Sequence, residues 1–378
     1  MTPASGEGIP RRSVWPKLLA ANLSLFFFLT LSSCWLAGAS ARAGAGESPV
    51  GKAPVCTRVA STGGSDRSPG SVRAPYRTLK RLVTSLRPGM VGCLRAGTYG
   101  GPSVYTDFDR SGTRSARITL RSYPGEKATL AGYIEVEGDY VNFTNLKVDN
   151  SNTFIGGSDC GGRSQSFTLS GSNIILDHDE FTASNPSLSS NGIYVEGNNE
   201  IIRFNKIHGV GTCNGHDHGI YVATSRNFRI EYNWIFDCRK GWGIQLFPNA
   251  RDGRIRHNII DGCGSGVTIS DGDGDHKSSD NGIDHNLITN SVGLRGFNDG
   301  TAIAGCCAHS PDGNLVARNI FWKNAGGPFD DYVGRSYVAR ENVSANPRYA
   351  NRAAKDFRVR ASRAKNLGLW DGAAQRRR

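Results

Sequence analysis

The chain has 378 residues, 48 of them glycine, and a formal net charge of +12 at neutral pH. This length allows one large repeat domain or two ordinary domains, and the glycine content favours many turns and short strands. No periodic apolar segment beyond the N-terminal region predicts a long amphipathic helix, which argues against a helical protein.

Residues 1–43 have the organisation of a signal peptide. Three basic residues between positions 11 and 17 precede an apolar run, and small residues follow it. The alternatives are an uncleaved membrane anchor, lipidation at Cys34, whose preceding residues look like a bacterial lipobox, and export by a twin-arginine route. We therefore predict a secreted protein, or alternatively a membrane-anchored lipoprotein, and leave these residues out of the fold argument.

The remaining chain is basic and carries eight cysteines. Residues 1–43 hold four of the 45 Lys and Arg and one of the 33 Asp and Glu, so the rest has a net charge of +9. A basic exported protein suits an acidic partner such as a uronate polymer, although the charge could serve solubility alone. Nucleic acid is not expected outside the cell. An even number of cysteines in an exported chain predicts disulfides.

A short helix is predicted near the start of the exported chain. Within residues 76–86, apolar residues at 79, 82, 83 and 86 have helical spacing, and Arg87-Pro88-Gly89 ends the pattern. Cys56 and Cys93 flank this segment. We predict that the helix caps the N-terminal end of the fold and that a disulfide between these two cysteines holds it.

An internal repeat occupies the middle of the chain. Short alternating strands precede and follow a recurrent asparagine, and the spacings between these asparagines are 28, 25, 28 and 33 residues. Asparagine tolerates the left-handed backbone that a tight corner needs, so we predict a strand–Asn corner–strand unit. The asparagines are Asn205, Asn233, Asn258, Asn286 and Asn319.

A third strand completes each unit, as in Gly192-Ile193-Tyr194-Val195. Three short strands without room for a crossover helix predict a coil whose turns stack in parallel. A β-propeller is less suitable because its period is longer. Alternation predicts an interior column of Ile193, Val195, Ile220, Val222, Ile244, Leu246, Val267 and Ile269. It predicts an outward column of Tyr194, Tyr221, Gln245 and Thr268.

Several segments resemble pectate-lyase-like proteins. Ala60-Ser61-Thr62-Gly63-Gly64-Ser65-Asp66 and Leu94-Arg95-Ala96-Gly97-Thr98-Tyr99 are similar to the entry segment of that superfamily, and Asn346-Pro347-Arg348-Tyr349 is similar to its final segment. The likeness covers roughly residues 56–368. It implies an all-β, right-handed parallel β-helix and a glycan-holding groove on the face of the repeated third strand. It does not imply one activity, because the superfamily includes lyases, hydrolases, epimerases and adhesins.

The densest polar cluster leads into one of these outward-facing strands. Lyase-type β-elimination on a uronate needs a base, a cation and an acid, and His216, His218, Lys240 or Arg239 could supply the base or the cation. Asp217 could orient a histidine or bind calcium. Hydrolysis would instead need a carboxylate pair, for which Glu196 and Asp217 are the candidates. The alternative interpretation of residues 216–218 is a polar turn.

Aromatic and polar side chains on the same strands are the predicted sugar contacts. Tyr194, Tyr221 and Trp242 could stack on sugar faces, while Glu196 and Gln245 could bind hydroxyl groups. Three other histidines, at 178, 257 and 285, precede the repeated corner, where Phe204 and Tyr232 also occur. We predict that these five rings form a stacked structural column.

The sequence also suggests a calcium site and further disulfides. Asp271, Asp273 and Asp275 alternate along a loop, a pattern that suits calcium, although a solvated acidic loop is the alternative. The segment lacks the residues of an EF-hand. Cys238 and Cys263 lie five residues after their repeat asparagines and could pair. Cys160 with Cys213 is a second possible pair.

These observations predict a signal peptide at 1–43, a cap and first coils at 44–130, β-helix repeats at 131–345, and a closing segment with a basic tail at 346–378. The predicted function is binding an acidic polysaccharide and modifying it by β-elimination. The alternative is a non-catalytic glycan-binding or cell-surface structural protein. We expect a monomer that contacts membranes only through its N-terminal segment or a lipid at Cys34.

Overall fold

The computed structural model describes residues 55–153, 167–212, 215–294, 300–306, 312–330, 334, 336–362 and 364. The predicted signal peptide, including Cys34, lies outside these residues. The described part is an all-β coil of short parallel strands with one α-helix and one short 3₁₀ turn, Pro186–Leu188. Among the described residues, no helix is long and apolar enough to cross a membrane.

The strands are short because each coil turns a corner after every few residues. The first coils contain β1 (Arg58–Ala60), α1 (Leu79–Ser85), β2 (Val91–Leu94), β3 (Gly97–Phe108), β4 (Ile118–Ser122), β5 (Ala128–Val136), β6 (Val141–Thr144) and β7 (Lys147–Asp149).

The central coils contain β8 (Phe167–Leu169), β9 (Ile175–Asp177), β10 (Glu180–Thr182), β11 (Ile193–Val195), β12 (Ile201–Arg203), β13 (Lys206–His208), β14 (Ile220–Val222), β15 (Arg229–Glu231), β16 (Trp234–Phe236), β17 (Trp242–Leu246), β18 (Arg254–Arg256), β19 (Ile259–Asp261) and β20 (Ser265–Ser270). The last coils contain β21 (Gly282–Asp284), β22 (Leu287–Thr289), β23 (Ile303–Cys306), β24 (Leu315–Ala317), β25 (Ile320–Trp322), β26 (Val338–Arg340) and β27 (Val343–Ser344). The chain then forms β28 (Tyr349–Asn351) and β29 (Asp356–Val359).

Each complete coil contributes one strand to each of three faces. β11, β14, β17, β20 and β23 belong to the first face, β12, β15, β18, β21 and β24 to the second, and β13, β16, β19, β22 and β25 to the third. Neighbouring strands pair in parallel one coil apart. The first and third faces are joined through β5, which pairs with β8 near one end and with β7 near the other.

The interior of the coil is a stack of aliphatic side chains. All eight residues of the predicted interior column are at most 1% exposed. Register pairs Ile193 with Ile220 and Ile220 with Ile244, so identical or similar side chains lie directly above one another. The predicted parallel β-helix is therefore confirmed, because period-two alternation places these side chains inside at every coil.

The repeat asparagines are buried inside the corner, where they form a hydrogen-bonded ladder. The Nδ2 of Asn233 donates to the Oδ1 of Asn258 at 3.0 Å, and the Nδ2 of Asn258 donates to the Oδ1 of Asn286 at 3.0 Å. The same contact joins Asn205 to Asn233 and Asn286 to Asn319. Each amide thus links two coils and satisfies buried backbone groups.

The prediction that these asparagines adopt the left-handed backbone is wrong. The residue before each of them does so, with φ between 55° and 58° at Phe204, Tyr232, His257, His285 and Arg318, and His178 before Asp179 has φ of 65°. The rings of the five predicted residues 178, 204, 232, 257 and 285 stack from coil to coil at centroid distances of 4.7–5.3 Å, which confirms the predicted ring column. The asparagine keeps an ordinary backbone because its side chain must point inward to reach the next coil.

Helix α1 closes the N-terminal end, as predicted. Its buried side chains Leu79, Leu82 and Val83 join the continuous core of the coil. The helix starts three residues later than the pattern suggests, because the Oγ1 of Thr78 accepts the backbone N–H of Arg81 and caps the first turn. The predicted disulfide between Cys56 and Cys93 is present.

The C-terminal hairpin covers part of the third face. β28 and β29 pair antiparallel, and Phe357 packs with Phe236, Ile259, Leu287 and Ile320. Arg352 of this hairpin donates to the buried carboxylate of Asp261 at 2.8 Å. The covered part of the third face is therefore closed to a large ligand. The second face carries exposed side chains, and the first face carries the partly exposed Glu135, Tyr194 and Tyr221.

A carboxyl group is buried where the second face begins. Glu200 is fully buried, its Oε2 accepts the hydroxyl of Ser225 at 3.3 Å, and its Oε1 has no hydrogen-bond partner among the described residues. Burial raises the pKa of Glu200 from 4.5 to about 8. The unfolded chain ionises near the ordinary value, so the folded state loses relative stability as the pH rises from 4.5 through 8.

Replacing Glu200 with glutamine should remove this pH dependence. At pH 7 the buried carboxyl costs about 3 kcal/mol relative to an unperturbed one, at about 1.4 kcal/mol per pH unit. Urea unfolding at pH 5 and pH 8 should therefore show a smaller loss of stability in Glu200→Gln than in the wild type. Glu196→Gln, a substitution at an exposed neighbour, should keep the wild-type change of unfolding free energy with pH. If that change is the same in the wild type and in Glu200→Gln, then ionisation of Glu200 does not destabilise the folded protein.

Candidate functional site

The first face presents one continuous column of outward side chains. Register places each member opposite the next, over five coil-to-coil steps that span about 24 Å at the usual strand spacing. The members are Glu135, Thr168, Tyr194, Tyr221, Gln245 and Thr268. Register confirms the column that the repeat predicted from Tyr194 to Thr268 and extends it two coils further towards the N-terminus. Thr168, Gln245 and Thr268 are 4%, 9% and 3% exposed, so the partly exposed members are Glu135, Tyr194 and Tyr221.

Two tyrosines form the centre of this column. The rings of Tyr194 and Tyr221 are half-buried and meet edge to face at 5.0 Å between centroids. Burial raises the pKa of Tyr221 to about 12, and burial together with the carboxylate of Glu196 raises the pKa of Tyr194. Both phenols therefore stay protonated at neutral pH and can donate hydrogen bonds. Glu196 is exposed beside them, and Gln245 is 9% exposed on the next coil.

A carboxylate with three hydroxyl donors lies at the N-terminal end of the column. The phenols of Tyr105 and Tyr133 donate to the Oε2 of Glu135 at 3.0 and 3.1 Å, and the hydroxyl of Ser170 donates to its Oε1 at 3.0 Å. The two tyrosine rings lie 5.0 Å apart. This arrangement holds a negative charge and two aromatic rings together on the first face.

Further carboxylates crowd this end of the face. The pKa of Glu137 is raised by the neighbouring Asp107, with burial and Glu135 adding to the effect. The pKa of Asp107 is raised by burial and then by Asp109 and Glu135. Burial and mutual repulsion therefore raise the pKa values of both carboxyl groups.

This carboxylate–tyrosine group is not among the site residues predicted from the sequence. Its signal was present, because Tyr133-Ile134-Glu135-Val136-Glu137 alternates in the same way as Gly192-Ile193-Tyr194-Val195-Glu196. The corner that follows is Thr144-Asn145-Leu146, in which Asn145 takes the left-handed position and Leu146 stands where later coils have the ladder asparagine. Without a recognisable ladder residue, the repeat register could not be extended to this coil.

His218 does not fit its predicted role as a base or cation in contact with substrate. It is 1% exposed, and its Nδ1 accepts the backbone N–H of Trp242 at 3.1 Å. Burial and the nearby His216 lower its pKa well below the usual 6.5, so the ring is neutral. This histidine holds two neighbouring coils together.

Trp242 was predicted to stack on sugars, but its indole ring is largely covered. It is 9% exposed and stacks on the ring of His218 at 4.5 Å. The His218 ring in turn meets the ring of Tyr221 edge to face at 5.4 Å. Stacking of Trp242 on a sugar therefore stays a prediction, and little of the ring is open to a ligand.

Three other predicted residues lie around the loops that enter the first face. His216 and Lys240 are exposed, and their loops are joined by the backbone N–H of Gly215, which donates to the carbonyl of Lys240 at 2.6 Å. Asp217 is 6% exposed, and its Oδ2 accepts the backbone N–H and hydroxyl of Thr212 at 2.7 and 3.2 Å. His216 and Lys240 thus have the exposure that a substrate contact needs, whereas Asp217 closes its own loop.

The predicted calcium ligands do not form a cluster. Asp271 is 8% exposed and its Oδ1 accepts the backbone N–H of Ser278 at 2.9 Å, whereas Asp273 and Asp275 are exposed. No group of three or more His, Cys, Asp or Glu side chains among the described residues is placed to hold a metal ion. This loop does not fit the ion as it stands, and calcium binding stays a prediction.

The predicted bond between Cys238 and Cys263 is absent, since both are free, fully buried thiols. They lie on neighbouring coils and hydrogen bond to each other, and this bond together with burial raises the pKa of Cys238 well above its usual value. Cys160 and Cys213 lie outside the described residues, so that pairing stays a prediction.

Comparison with known proteins identifies the fold. A family model described as "Right handed beta helix region" matches residues 133–321, half of the chain. A pectate lyase of Emericella nidulans is 36% identical over 72 residues, which cover 19% of this chain and 17% of that relative.

Two solved structures show the same coil along most of the chain. The complex of XylC with xylose has a TM-score of 0.59 at 12% identity and covers 76% of this chain and 69% of its own. A rhamnogalacturonan lyase has a TM-score of 0.51 at 14% identity and covers 82% of this chain and 94% of its own. At these identities the likeness shows the fold.

Proposed function

Since the chain belongs to the right-handed β-helix family, we propose that it binds an acidic polysaccharide along the first face and cleaves it by β-elimination. The observation that carries this proposal is the tyrosine-centred outward column, at whose later coils the exposed His216 and Lys240 stand on hydrogen-bonded loops. The sequence match to a pectate lyase and the fold match to a rhamnogalacturonan lyase support a polysaccharide substrate.

The proposed chemistry divides between two side chains. β-Elimination removes the proton next to the uronate carboxylate, and the negative charge that develops needs a nearby cation. His216 takes this proton, and Lys240 stabilises the charge. The bond to the glycosidic oxygen then breaks as the carbon–carbon double bond forms, and the protonated His216 gives its proton to the leaving oxygen. Tyr194 and Tyr221 hold the sugar rings, because tyrosine offers an apolar ring and a hydroxyl donor.

Loss of either group should abolish turnover while leaving the fold intact. We expect His216→Ala and Lys240→Gln each to lower the rate of unsaturated uronate formation about 100-fold. This is the usual contribution of a positioned proton-transfer group or a charge-stabilising contact to the rate. The measurement is ultraviolet absorbance of the purified mature chain with pectate, alginate and glycosaminoglycans. Adding Ca²⁺ or a chelator, with Asp271→Asn alongside, tests the calcium prediction in the same assay.

Lys80→Gln provides the matched control, because Lys80 is exposed on helix α1, away from the first face. It should keep the wild-type rate. Wild-type rates in His216→Ala and Lys240→Gln, or no unsaturated product on any uronate polymer, would overturn the β-elimination proposal. Binding without turnover would favour the non-catalytic alternative.

The carboxylate–tyrosine group supports a second candidate, glycan hydrolysis. Glu135 accepts three hydroxyl donors, and Glu137, whose pKa is raised by Asp107, follows two residues later. These two carboxyl groups are the candidates for the pair that hydrolysis needs. New reducing ends without unsaturated products, lost in Glu135→Gln, would establish this reaction instead.

The proposal includes an extracytoplasmic location. The disulfide between Cys56 and Cys93 suits an oxidising compartment, in which extracellular glycans are encountered. Export through the segment at 1–43 and a monomeric state remain predictions.

A further inference from the structure

A groove runs across the second face, on a different side of the coil from the proposed reaction site. It has a volume of about 490 Å³ and is lined by side chains from five successive coils. Its basic members are Arg114, Arg117 and Arg229. Neither the proposed reaction nor the comparisons assign a role to this part of the molecule.

The floor of the groove is a column of asparagines at the corner that precedes the second face. Asn173, Asn199 and Asn227 all adopt left-handed backbone with φ of 56–65°, which asparagine tolerates well. The Nδ2 of Asn227 donates to the Oδ1 of Asn199 at 2.8 Å. On the next two coils the corresponding positions are Asp252 and Asp280, so the column is neutral in the groove and acidic beyond it.

The arginines of the groove differ from those elsewhere on the same face. On the neighbouring outward column, Arg203 pairs with Asp177 at 2.7 Å and Arg256 pairs with Glu231 at 3.0 Å. Among the described residues, no ion pair involves Arg114, Arg117 or Arg229, and the first and last of these are exposed. The groove therefore carries uncompensated positive charge.

Arg117 is held in place at one end of the groove. Its Nε donates to the Oδ1 of Asn142 at 2.6 Å, and its Nη2 donates to the backbone carbonyl oxygens of Val141 and Asn173. Its guanidinium group lies over the ring of Tyr140 at 5.6 Å from the centroid. A cation fixed in this way loses little side-chain freedom when an anion binds to it.

We propose that this groove is a second, non-catalytic binding site for a carboxylate-bearing glycan chain. The arginines match carboxylate groups, the asparagine amides match sugar hydroxyls as donors and acceptors, and Ile175 and Ile201 supply apolar contact for sugar rings. The net charge of +9 outside residues 1–43 favours the approach of an acidic polymer. This site does not depend on which reaction takes place on the first face.

The lining favours a glycan over a single-stranded nucleic acid. Tyr140 is the one aromatic residue of the lining, and the guanidinium group of Arg117 lies over its ring. Bases bind to single-strand sites by stacking on aromatic rings, and Tyr140 is not free to serve in this way.

The test measures binding in a background whose first face is disabled. In the Tyr194→Ala/Tyr221→Ala protein, we expect oligogalacturonate to bind, and the added pair Arg114→Gln/Arg229→Gln to weaken its Kd at least about tenfold at low salt. The matched control is Arg73→Gln/Arg77→Gln, which removes the same charge from exposed arginines outside the groove. It should change the Kd less than about twofold.

Three outcomes would overturn the proposal. The first is equal weakening of oligogalacturonate binding by both arginine pairs, which would indicate non-specific attraction. The others are tighter binding of single-stranded DNA than of oligogalacturonate, and no binding in the disabled background. Turnover is measured in parallel with a protein whose first face is intact. This measurement distinguishes a failure of groove binding from a failure of the proposed reaction. Arg114→Gln/Arg229→Gln should keep its rate on short oligomers even when groove binding is lost.

Discussion

Asn258→Ala should lower the free energy of unfolding by about 5 kcal/mol, the largest effect expected for a single substitution in this protein. Asn258 is fully buried in the middle of the ladder. Its Nδ2 donates to the carbonyl of Ile230 at 2.8 Å, and its Oδ1 accepts both the backbone N–H and the Nδ2 of Asn233. Alanine removes the side-chain partner of the Ile230 carbonyl and of the Asn233 backbone N–H, at about 1–3 kcal/mol each. It also removes one of the two contacts of the Asn233 Nδ2, which still donates to the carbonyl of Ile202 at 2.8 Å.

Urea unfolding followed by circular dichroism measures this loss. The control is Asn198→Ala, because the exposed Asn198 accepts one backbone N–H, that of Arg226 at 2.8 Å. Water can replace that contact, so the control should lose less than about 1 kcal/mol. Similar losses in the two variants would mean that the ladder amides contribute no more than an ordinary surface asparagine.

Asp179→Asn should stabilise the protein by about 4 kcal/mol above pH 7. Asp179 stands where later coils have the ladder asparagine, and its Oδ1 accepts the backbone N–H of Leu146 at 2.8 Å. Burial raises its pKa from 3.8 to about 7. The folded state therefore loses relative stability as the pH rises from about 4 to 7, because only the unfolded chain ionises freely there.

An asparagine at this position carries no ionisation cost and extends the ladder. Its Nδ2 would point towards the Oδ1 of Asn205, as the Nδ2 of Asn205 does towards Asn233. Between pH 4 and pH 8, the unfolding midpoint of Asp179→Asn should rise increasingly above that of the wild type. Asp177→Asn should have the opposite sign: although burial raises the pKa of Asp177, His178 and Arg203 lower it overall. No divergence for Asp179→Asn would show that Asp179 ionises normally in the folded protein.

Much of the fold followed from local sequence. The spacing of the repeat asparagines and the Ile-x-Val strands predicted a coil with a defined interior, and the structure confirms both. The cap helix and the bond between Cys56 and Cys93 were also predicted correctly. These features depend on the repeat period, on side-chain alternation and on residues that are close in the sequence, all of which can be read from the sequence directly.

The site was harder to predict because it depends on how deeply neighbouring coils and loops bury each side chain. Residue type suggested that His218 and Trp242 face a ligand, yet both rings are buried against each other. Conversely, Glu135 and Tyr105 come from coils without a ladder asparagine, so sequence gave no register for them. The prediction that Cys238 and Cys263 lie next to each other on neighbouring coils was correct, but the two thiols do not form a disulfide.

By itself, the sequence determined the coil, its hydrophobic interior and the outward column from Tyr194 to Thr268. Only the tertiary structure decided that the ladder asparagines point inward, that three hydroxyl groups converge on Glu135, and that three arginines from separate coils line one groove. The physical reason is the distance in sequence between the residues that interact. Period-two alternation concerns neighbouring residues of one strand, whereas hydrogen bonds and charge interactions between coils join residues about 25–100 positions apart.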